Sequence, residues 1–563
     1  MLPPPAVRGV YRTDARARAA YAEGAGIYRI LPQAICRPAD IDDVKTLISW
    51  ATEQRIPLVP RGAGSAMGGG NVGDGVVVDL TGLAERRLEV DAPRRRAVTS
   101  AQVTLAELST AAAPHGLRLP PDPSSGRWAT LGGMASTNAA GARSVRYGSV
   151  RRWVEAITLM TAEGESVRLA RGEAGRRGGG EAGQVRALER FGRDVASRIQ
   201  GASKLITDRF PKTRKNSSGY ALDAYLASGD VLDLIIGAEG TLGIVTEIEW
   251  RLDDVPAHRA GLRVQLSSLN HLGDVVGALN QCEPSALELL DRSFLDLLGT
   301  DTRSGAGLGT NAEAIVLVEL ERNDPEELHR TLRRASDNVS GWATTIETAY
   351  SPPEAEQLWA IRHAASPILA GLPENRRSLQ VIEDGCVPVE RLGEYITAVR
   401  RSAAEHDLPV VMFGHAGDGH LHVNLLPELA REGWEKAVAS LFQEVTAAVI
   451  RLGGTPTGEH GDGRLRAGTL LGVYGPQILE LFRRIKAAFD PLGIFNPGII
   501  LPSGEPPIGR LKVGSSAVPI PADLQRALRD IELTGGYGRS RLELAGEEPA
   551  SSDEDTFPLA PDS

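Results

Sequence analysis

Pro60-Arg61-Gly62-Ala63-Gly64-Ser65-Ala66-Met67-Gly68-Gly69-Gly70-Asn71 places five glycines in nine positions. That density frees the backbone for positive φ and lets successive N–H groups converge on one anion, as a phosphate cradle requires. The loop lies between two extended runs, Pro57 to Pro60 and Val76-Val77-Val78-Asp79-Leu80, and no helix follows it. Gly62, Gly64 and Gly68 lack G-x-G-x-x-G spacing and no G-K-[ST] ends the loop. Nucleotide sites built on a helix N-terminus are therefore disfavoured, and on this segment alone a plain surface loop is an equal alternative. Upstream, Asp40 is placed to cap a helix whose Ile41, Val44, Leu47, Ile48 and Ala51 keep the helical period and which must stop before Pro57.

Two further blocks repeat this logic. Pro121-Asp122-Pro123-Ser124-Ser125-Gly126 and Thr130 to Gly141 form a stretch of small residues and prolines that offers little to a core. Backbone exposed in this way suits close approach of a flat, extended ligand, with the hydroxyls of Ser125, Ser136 and Thr137 as donors. Ile235 to Thr246 again sets glycines between buried strands.

Reactive side chains come later in the chain. Phe413-Gly414-His415-Ala416-Gly417-Asp418-Gly419-His420-Leu421-His422-Val423-Asn424 holds three of the ten histidines within eight residues. On a strand His420 and His422 share a face, and the glycine turn folds His415 back toward them. Thr457-Gly458-Glu459-His460-Gly461-Asp462-Gly463 adds a carboxylate and another imidazole. A lone strand histidine is usually structural and an aspartate beside glycine usually forms a turn, but this clustering favours a divalent-metal site with an open position. Ser351 and Pro352 start a helix that carries Leu358, Trp359, Ile361, Arg362 and His363.

The 563 residues, 42% hydrophobic and 24% charged, exclude a disordered or fibrous chain and suggest two to four domains. Cys36, Cys282 and Cys386 are far apart, so neither a disulfide framework nor an iron–sulfur cluster is expected from this chain. No apolar run reaches membrane-spanning length and the first residues lack a signal-peptide core, so a cytoplasmic location is expected. Of the net charge of -10, seven units come from acids between Leu542 and Ser563. The nearly balanced remainder argues against a nucleic-acid ligand, despite the cluster Arg143, Arg146, Arg151 and Arg152. Four zones follow: a polar lead-in (1–32), a first domain (33–255), a second (256–505), and an acidic, disordered tail (506–563) in which Pro521 to Leu533 could form one docking helix. Residues 164–192 read as a flexible insertion without assigned function.

In combination the three glycine blocks resemble the cofactor domain of the vanillyl-alcohol oxidase type flavoproteins, within the branch of D-lactate dehydrogenase, the glycolate oxidase flavin subunit and D-2-hydroxyglutarate dehydrogenase. The resemblance runs from about residue 33 to 502. It implies an α+β fold: a two-lobed, PCMH-type FAD-binding domain, plus an α/β cap domain with an antiparallel sheet and C-terminal helices. Carried over, Arg61, Gly62, Ala63, Gly64, Ser65, Gly68 and Gly69 would cradle the diphosphate. Pro121, Asp122, Ser125, Gly132, Gly133, Ser136, Asn138 and Gly141 would line the ribityl chain and flavin ring. Glu239, Gly240, Gly243 and Ile244 would contact the adenosine half, and Asn496 completes the cofactor set. No histidine lies between Arg61 and Leu80, which implies non-covalent FAD.

The family patterns G-H-x-G-D-G-x-L-H and G-E-H-G imply His415, His422 and Glu459 as ligands of a divalent metal, zinc or alternatively manganese. They imply His460 as the base, and His420 as a neighbour rather than a ligand. W-x-x-R, here Trp359 to Arg362, implies that Arg362 grips a substrate carboxylate. The chain departs from the family at Ile382 and Glu383, where some relatives have a lysine ahead of Asp384, and at Ile499, a frequent lysine. The implied reaction is oxidation of a D-2-hydroxy acid, of lactate, glycolate or 2-hydroxyglutarate type, to the 2-oxo acid. A separate iron–sulfur or electron-transfer protein is the implied partner, with the acidic tail as its candidate dock, and a homodimer is left open. The alternatives are a non-redox, alkyl-transferring flavoenzyme of the same fold and a metal-dependent hydrolase without flavin.

Overall fold

The Asp40 side chain accepts a hydrogen bond from the Asp43 N–H and starts the helix Ile41–Gln54, which ends where Arg55 turns left-handed. Its buried Val44, Leu47, Ile48 and Ala51 pack on one sheet. In the computed structural model, which describes residues 3–173, 185–298, 308–309 and 311–547, that sheet has four strands, β1 (Val10–Arg12), β2 (Ala34–Arg37), β3 (Leu58–Arg61) and β4 (Val76–Asp79). Their order is β1-β2-β4-β3; β2 and β3 both run parallel to β4, and β1 is an antiparallel edge. The glycine loop is the connection from β3 to β4.

A second lobe follows, with β5 (Leu88–Asp91), β6 (Arg96–Ser100), the short β7 (Leu117–Arg118), β8 (Val154–Met160), β9 (Ser166–Ala170) and β10 (Ile244–Arg251). Its antiparallel sheet has the order β5-β6-β10-β8-β9, while β7 pairs with β11 (Asp253–Asp254). The cap sheet is built from β12 (His258–Leu266), β13 (Ala286–Asp291), β14 (Ala314–Arg322), β15 (Ala343–Ala349), β16 (Leu379–Cys386), β17 (Val410–Gly414) and β18 (His420–Leu425). These seven strands are antiparallel, in the order β15-β12-β14-β13-β17-β18-β16. β14 shows the strand period of two at work: Val316, Val318 and Leu320 enter one core, Ile315 and Leu317 the other. The second core also takes Trp359 and Phe413, which places the helix Pro352–His363 on the site-facing side.

The two-lobed α+β fold agrees with expectation, but the chain crosses the expected boundaries. The lead-in is a structured part of the first lobe, with Ala17, Ala19, Ala20 and Tyr21 buried. Residues 470–500 leave the cap: Ile478, Phe482 and Phe489 join the second-lobe core, and Ile494 and Phe495 the first. Part of 164–192 is also ordered, since β9 and most of the helix Arg186–Asp194 fall within it; residues 174–184 lie outside the described residues.

The largest correction concerns the expected tail. Leu511 and Val513 belong to the cap core. The helix Ala522–Thr534 buries Leu524, Leu528 and Ile531, and Leu524 and Leu528 pack in the cluster that holds Ala17 and Ala20. Spacings of four and three residues put these three on one helical face, and each stabilises by about 1.5–3 kcal/mol when fully buried. Residues 548–563, with most of the acids, lie outside the described residues. Among the described residues no helix is long and apolar enough to cross a membrane.

Candidate active site

One cavity of about 670 Å3 runs between the lobes and the cap, and both the glycine blocks and the histidines line it. At its glycine end Gly62, Ala63, Gly64 and Ser65 face the cavity, as do Asp122, Ser125, Gly132, Gly133, Ser136, Gly141, Glu239, Gly240, Gly243 and Ile244. Gly64 has φ +79, and a Cβ on Gly62 would sit 2.2 Å from Thr130 Oγ1. A Cβ on Gly132 would lie 2.6 Å from that of Ala101. The segments therefore pack too closely at these glycines for a side chain, and they present main chain to the cavity. The residues present fit FAD, whose flat ring and diphosphate need such a wall.

Five of the expected cofactor residues act behind this wall. Gly68 abuts Asp462 and Gly463, and Gly69 abuts Tyr28. Pro121 lies outside the lining. Asn138 caps the helix Leu131–Thr137 in a left-handed conformation, and its Oδ1 accepts from Arg151 N. Asn496 donates through Nδ2 to Gly70 O and Glu239 O, both at 2.8 Å, and ties two glycine blocks together. Arg61 lines the cavity, but its guanidinium donates to the carbonyls of Tyr21, Glu23 and Asn71 and so anchors the loop. The helix Leu131–Thr137 itself, with Leu131 and Met134 buried, was hidden by the small residues around it.

At the other end four side chains converge. Glu459 Oε1 lies 3.1 Å from His415 Nε2, 3.7 Å from His422 Nε2 and 3.7 Å from His460 Nε2. The Nε2 atoms of His415 and His422 are 3.4 Å apart. Donor atoms 2.0–2.1 Å from a tetrahedral ion stand about 3.3 Å apart, so this spacing admits one. The other ring nitrogens fix the tautomers: His415 Nδ1 is bonded to Glu288 and His460 Nδ1 to Glu383, while His422 Nδ1 donates to Glu383 O at 2.7 Å. His420 lies closer than expected of a bystander. Its Nε2 is 2.9 Å from Asp384 Oδ1, its buried Nδ1 has no hydrogen-bond partner among the described residues, and it belongs with His415, His422 and Glu459 to one group of candidate ligands.

Charge is balanced by residues that sequence reading did not single out. Lys215 Nζ donates to Glu459 Oε2 at 2.8 Å. Burial would raise the Glu459 pKa, but Lys215 and then His415 hold it well below the usual carboxylate range. Burial drives His422 well below the ordinary imidazole value, which leaves it neutral, as a metal ligand must be. Burial also opposes protonation of His460, yet Glu383 and Asp384 push it up to about 10; a cation among His415, His422 and Glu459 would act against that pull. Glu383 in turn pairs with the buried Arg466, and Asp384 accepts the backbone N–H groups of Glu459 and His460, both at 3.0 Å.

Arg362 lines the cavity with its Cζ 4.9 Å from the Phe413 ring centre. Its Nε donates to Glu288 Oε2 at 2.7 Å, and its Nη groups have no hydrogen-bond partner among the described residues. Glu288 thus links the arginine to His415. The signal for it was present: a lone carboxylate in the apolar run Ala286-Leu287-Glu288-Leu289-Leu290. Lys215 carried no comparable signal.

Residues 255–500 match the family of FAD linked oxidases, C-terminal domain, and residues 32–170 match the FAD binding domain. Glycolate oxidase subunit GlcD of Bacillus subtilis (strain 168) is 29% identical over 479 residues, 84% of this chain and 89% of that protein. D-lactate dehydrogenase of Anaerostipes hadrus is 30% identical over 482 residues, 83% of this chain and 89% of that protein. Among solved structures, 4-ethylphenol oxidase from Gulosibacter chungangensis superposes with a TM-score of 0.63 at 16% identity, over 88% of this chain and 94% of that one.

Proposed function

The chain belongs to the FAD-linked oxidase family and is an oxidoreductase, and we propose that it oxidises a D-2-hydroxy acid of lactate, glycolate or 2-hydroxyglutarate type to the 2-oxo acid. The observation that carries this reading is the convergence of three imidazole Nε2 atoms on Glu459 Oε1 inside the cavity that the glycine wall also lines. His415, His422 and Glu459 would hold a divalent metal that would lower the pKa of the substrate hydroxyl, and the glycine wall would hold FAD, which would supply the hydride acceptor. Zinc suits two imidazoles and a carboxylate, with manganese the alternative.

The chain's own residues do the rest. Arg362 offers its two Nη groups to the substrate carboxylate as a fork and is held in orientation through Nε by Glu288. His460, anchored through Nδ1 on Glu383, presents Nε2 to take the hydroxyl proton, and Glu383 and Asp384 stabilise the resulting imidazolium. Lys215 keeps Glu459 ionised and in place. Oxygen, a quinone or a separate electron-transfer protein then takes the electrons. The test is anaerobic mixing of the yellow holoprotein with D-lactate, glycolate and D-2-hydroxyglutarate while the flavin absorbance is followed. Bleaching by at least one of them supports the reading; a yellow protein that none of them bleaches refutes it.

A further inference from the structure

Residues beyond the family match form one wall of the cavity. Arg529, Glu532, Leu533, Thr534, Gly535 and Tyr537 all line it, whereas the match ends at residue 500. The helix Ala522–Thr534 is fixed there because Leu524 and Leu528 are buried with Ala17, Ala20 and Tyr21 of the first lobe.

Its Glu532 carboxylate pairs with the Arg377 guanidinium, another lining group. Arg529 Nη1 and Lys512 Nζ stand 3.2 and 3.5 Å from the same carboxylate. Glu374, 3.7 Å from Arg377, has a side chain 68% exposed, so water screens its charge, while that of Glu532 is 23% exposed. Arg529 Nε also donates to Glu374 Oε1 at 2.6 Å, so Glu532 shares that cation with Glu374 and is the principal anion for Arg377 and Lys512. Arg377 also has a defined place relative to the histidines. The next residue, Ser378, donates to Asn424 Oδ1 at 3.1 Å, and Asn424 stands two positions after His422 on the same face of β18. A strand rises about 3.3 Å per residue, so this contact places the segment that carries Arg377 about 7 Å further along β18 than His422.

We infer that Glu532 is a specificity-determining residue: by occupying Arg377 it closes the far end of the cavity to a second carboxylate, so the enzyme favours 2-hydroxy acids with an uncharged tail over 2-hydroxy dicarboxylates. The inference rests on the D-2-hydroxy acid reading above. Its physical basis is that a second carboxylate would have to displace Glu532 or stand beside it, and like charges at such a site are strongly disfavoured.

The experiment compares D-2-hydroxypentanoate with D-2-hydroxyglutarate, which have equal carbon number, as reductants of the full-length holoenzyme. Wild type should favour the pentanoate in kcat/KM by about tenfold or more. Glu532→Gln should shift that ratio by about tenfold toward the dicarboxylate through KM, and Glu532→Gln/Arg377→Gln should lose the shift. If Glu532→Gln fails to hold FAD, the wild-type ratio and Arg377→Gln, expected to move the ratio further toward the pentanoate, decide the matter. A wild-type preference for the dicarboxylate, an unchanged ratio in Glu532→Gln, or a shift that survives loss of Arg377 overturns the inference alone. Failure of every D-2-hydroxy acid to reduce wild-type flavin overturns the functional reading along with it.

Discussion

The two ends of the cavity are made of different material. At the glycine end Gly62, Gly64, Gly132 and Gly141 bring main chain to the surface, and the side chains that matter, Arg61 and Asn496, stand behind it and tie segments together. At the histidine end side chains do the work, and each is aimed by a second one: His415 by Glu288, His460 by Glu383, Glu459 by Lys215. A backbone wall depends on conformation and tolerates loss of its few hydroxyls. A side-chain cluster depends on every partner, because removing one leaves another buried without its counter-charge.

Substitutions can break this contrast. His460→Ala should slow anaerobic flavin reduction by about 10²–10⁴-fold while the protein keeps its FAD absorbance, because the glycine wall is untouched. Loss of FAD in that variant would show that the two ends are not separable. Glu288→Gln should weaken binding of the divalent metal by about 10–100-fold, measured by titration with a competing chelator, since it loosens His415 and Arg362 together. Glu288 is fully buried and is held ionised by His415 and then Arg362, against the effect of burial. Unaltered metal affinity would remove it from the support of the cluster.

The same contrast explains what could be read from the sequence. The strands beside the glycine loop, the Asp40-capped helix and the Ser351 helix rest on short-range patterns, and the structure places each where that pattern requires; the grouping of His415 and His422 with Glu459 was implied by the family resemblance, and the three side chains lie together in the fold. Lys215 comes from a remote segment and acquires meaning only when the chain folds, so spacing could not reveal it, whereas Glu288 left a trace as a lone carboxylate in an apolar run. The C-terminal helix itself was legible within Pro521 to Leu533, where Leu524, Leu528 and Ile531 have the helical period. Its burial in an ordered segment was not, because its partners, Ala17 and Ala20, lie some 500 residues away in a lead-in read as polar.

The finest test of the contrast lies within two adjacent residues. Gly64 occupies the left-handed region at φ +79, and a Cβ there would lie 2.4 Å from Arg61 Nη2. Gly64→Ala should therefore cost about 1–2 kcal/mol in backbone strain and disturb the Arg61 anchor as well, and FAD binding should weaken by about 5–30-fold by flavin fluorescence titration. Ser65 also lines the cavity, yet its side chain makes no hydrogen bond among the described residues. Even if its hydroxyl serves the cofactor, Ser65→Ala removes one neutral hydrogen bond worth about 0.5–1.5 kcal/mol, and the loss in FAD affinity should stay below about tenfold. An order reversed between these neighbours, with the serine costing more than the glycine, would mean that side chains and not backbone hold the cofactor at this end.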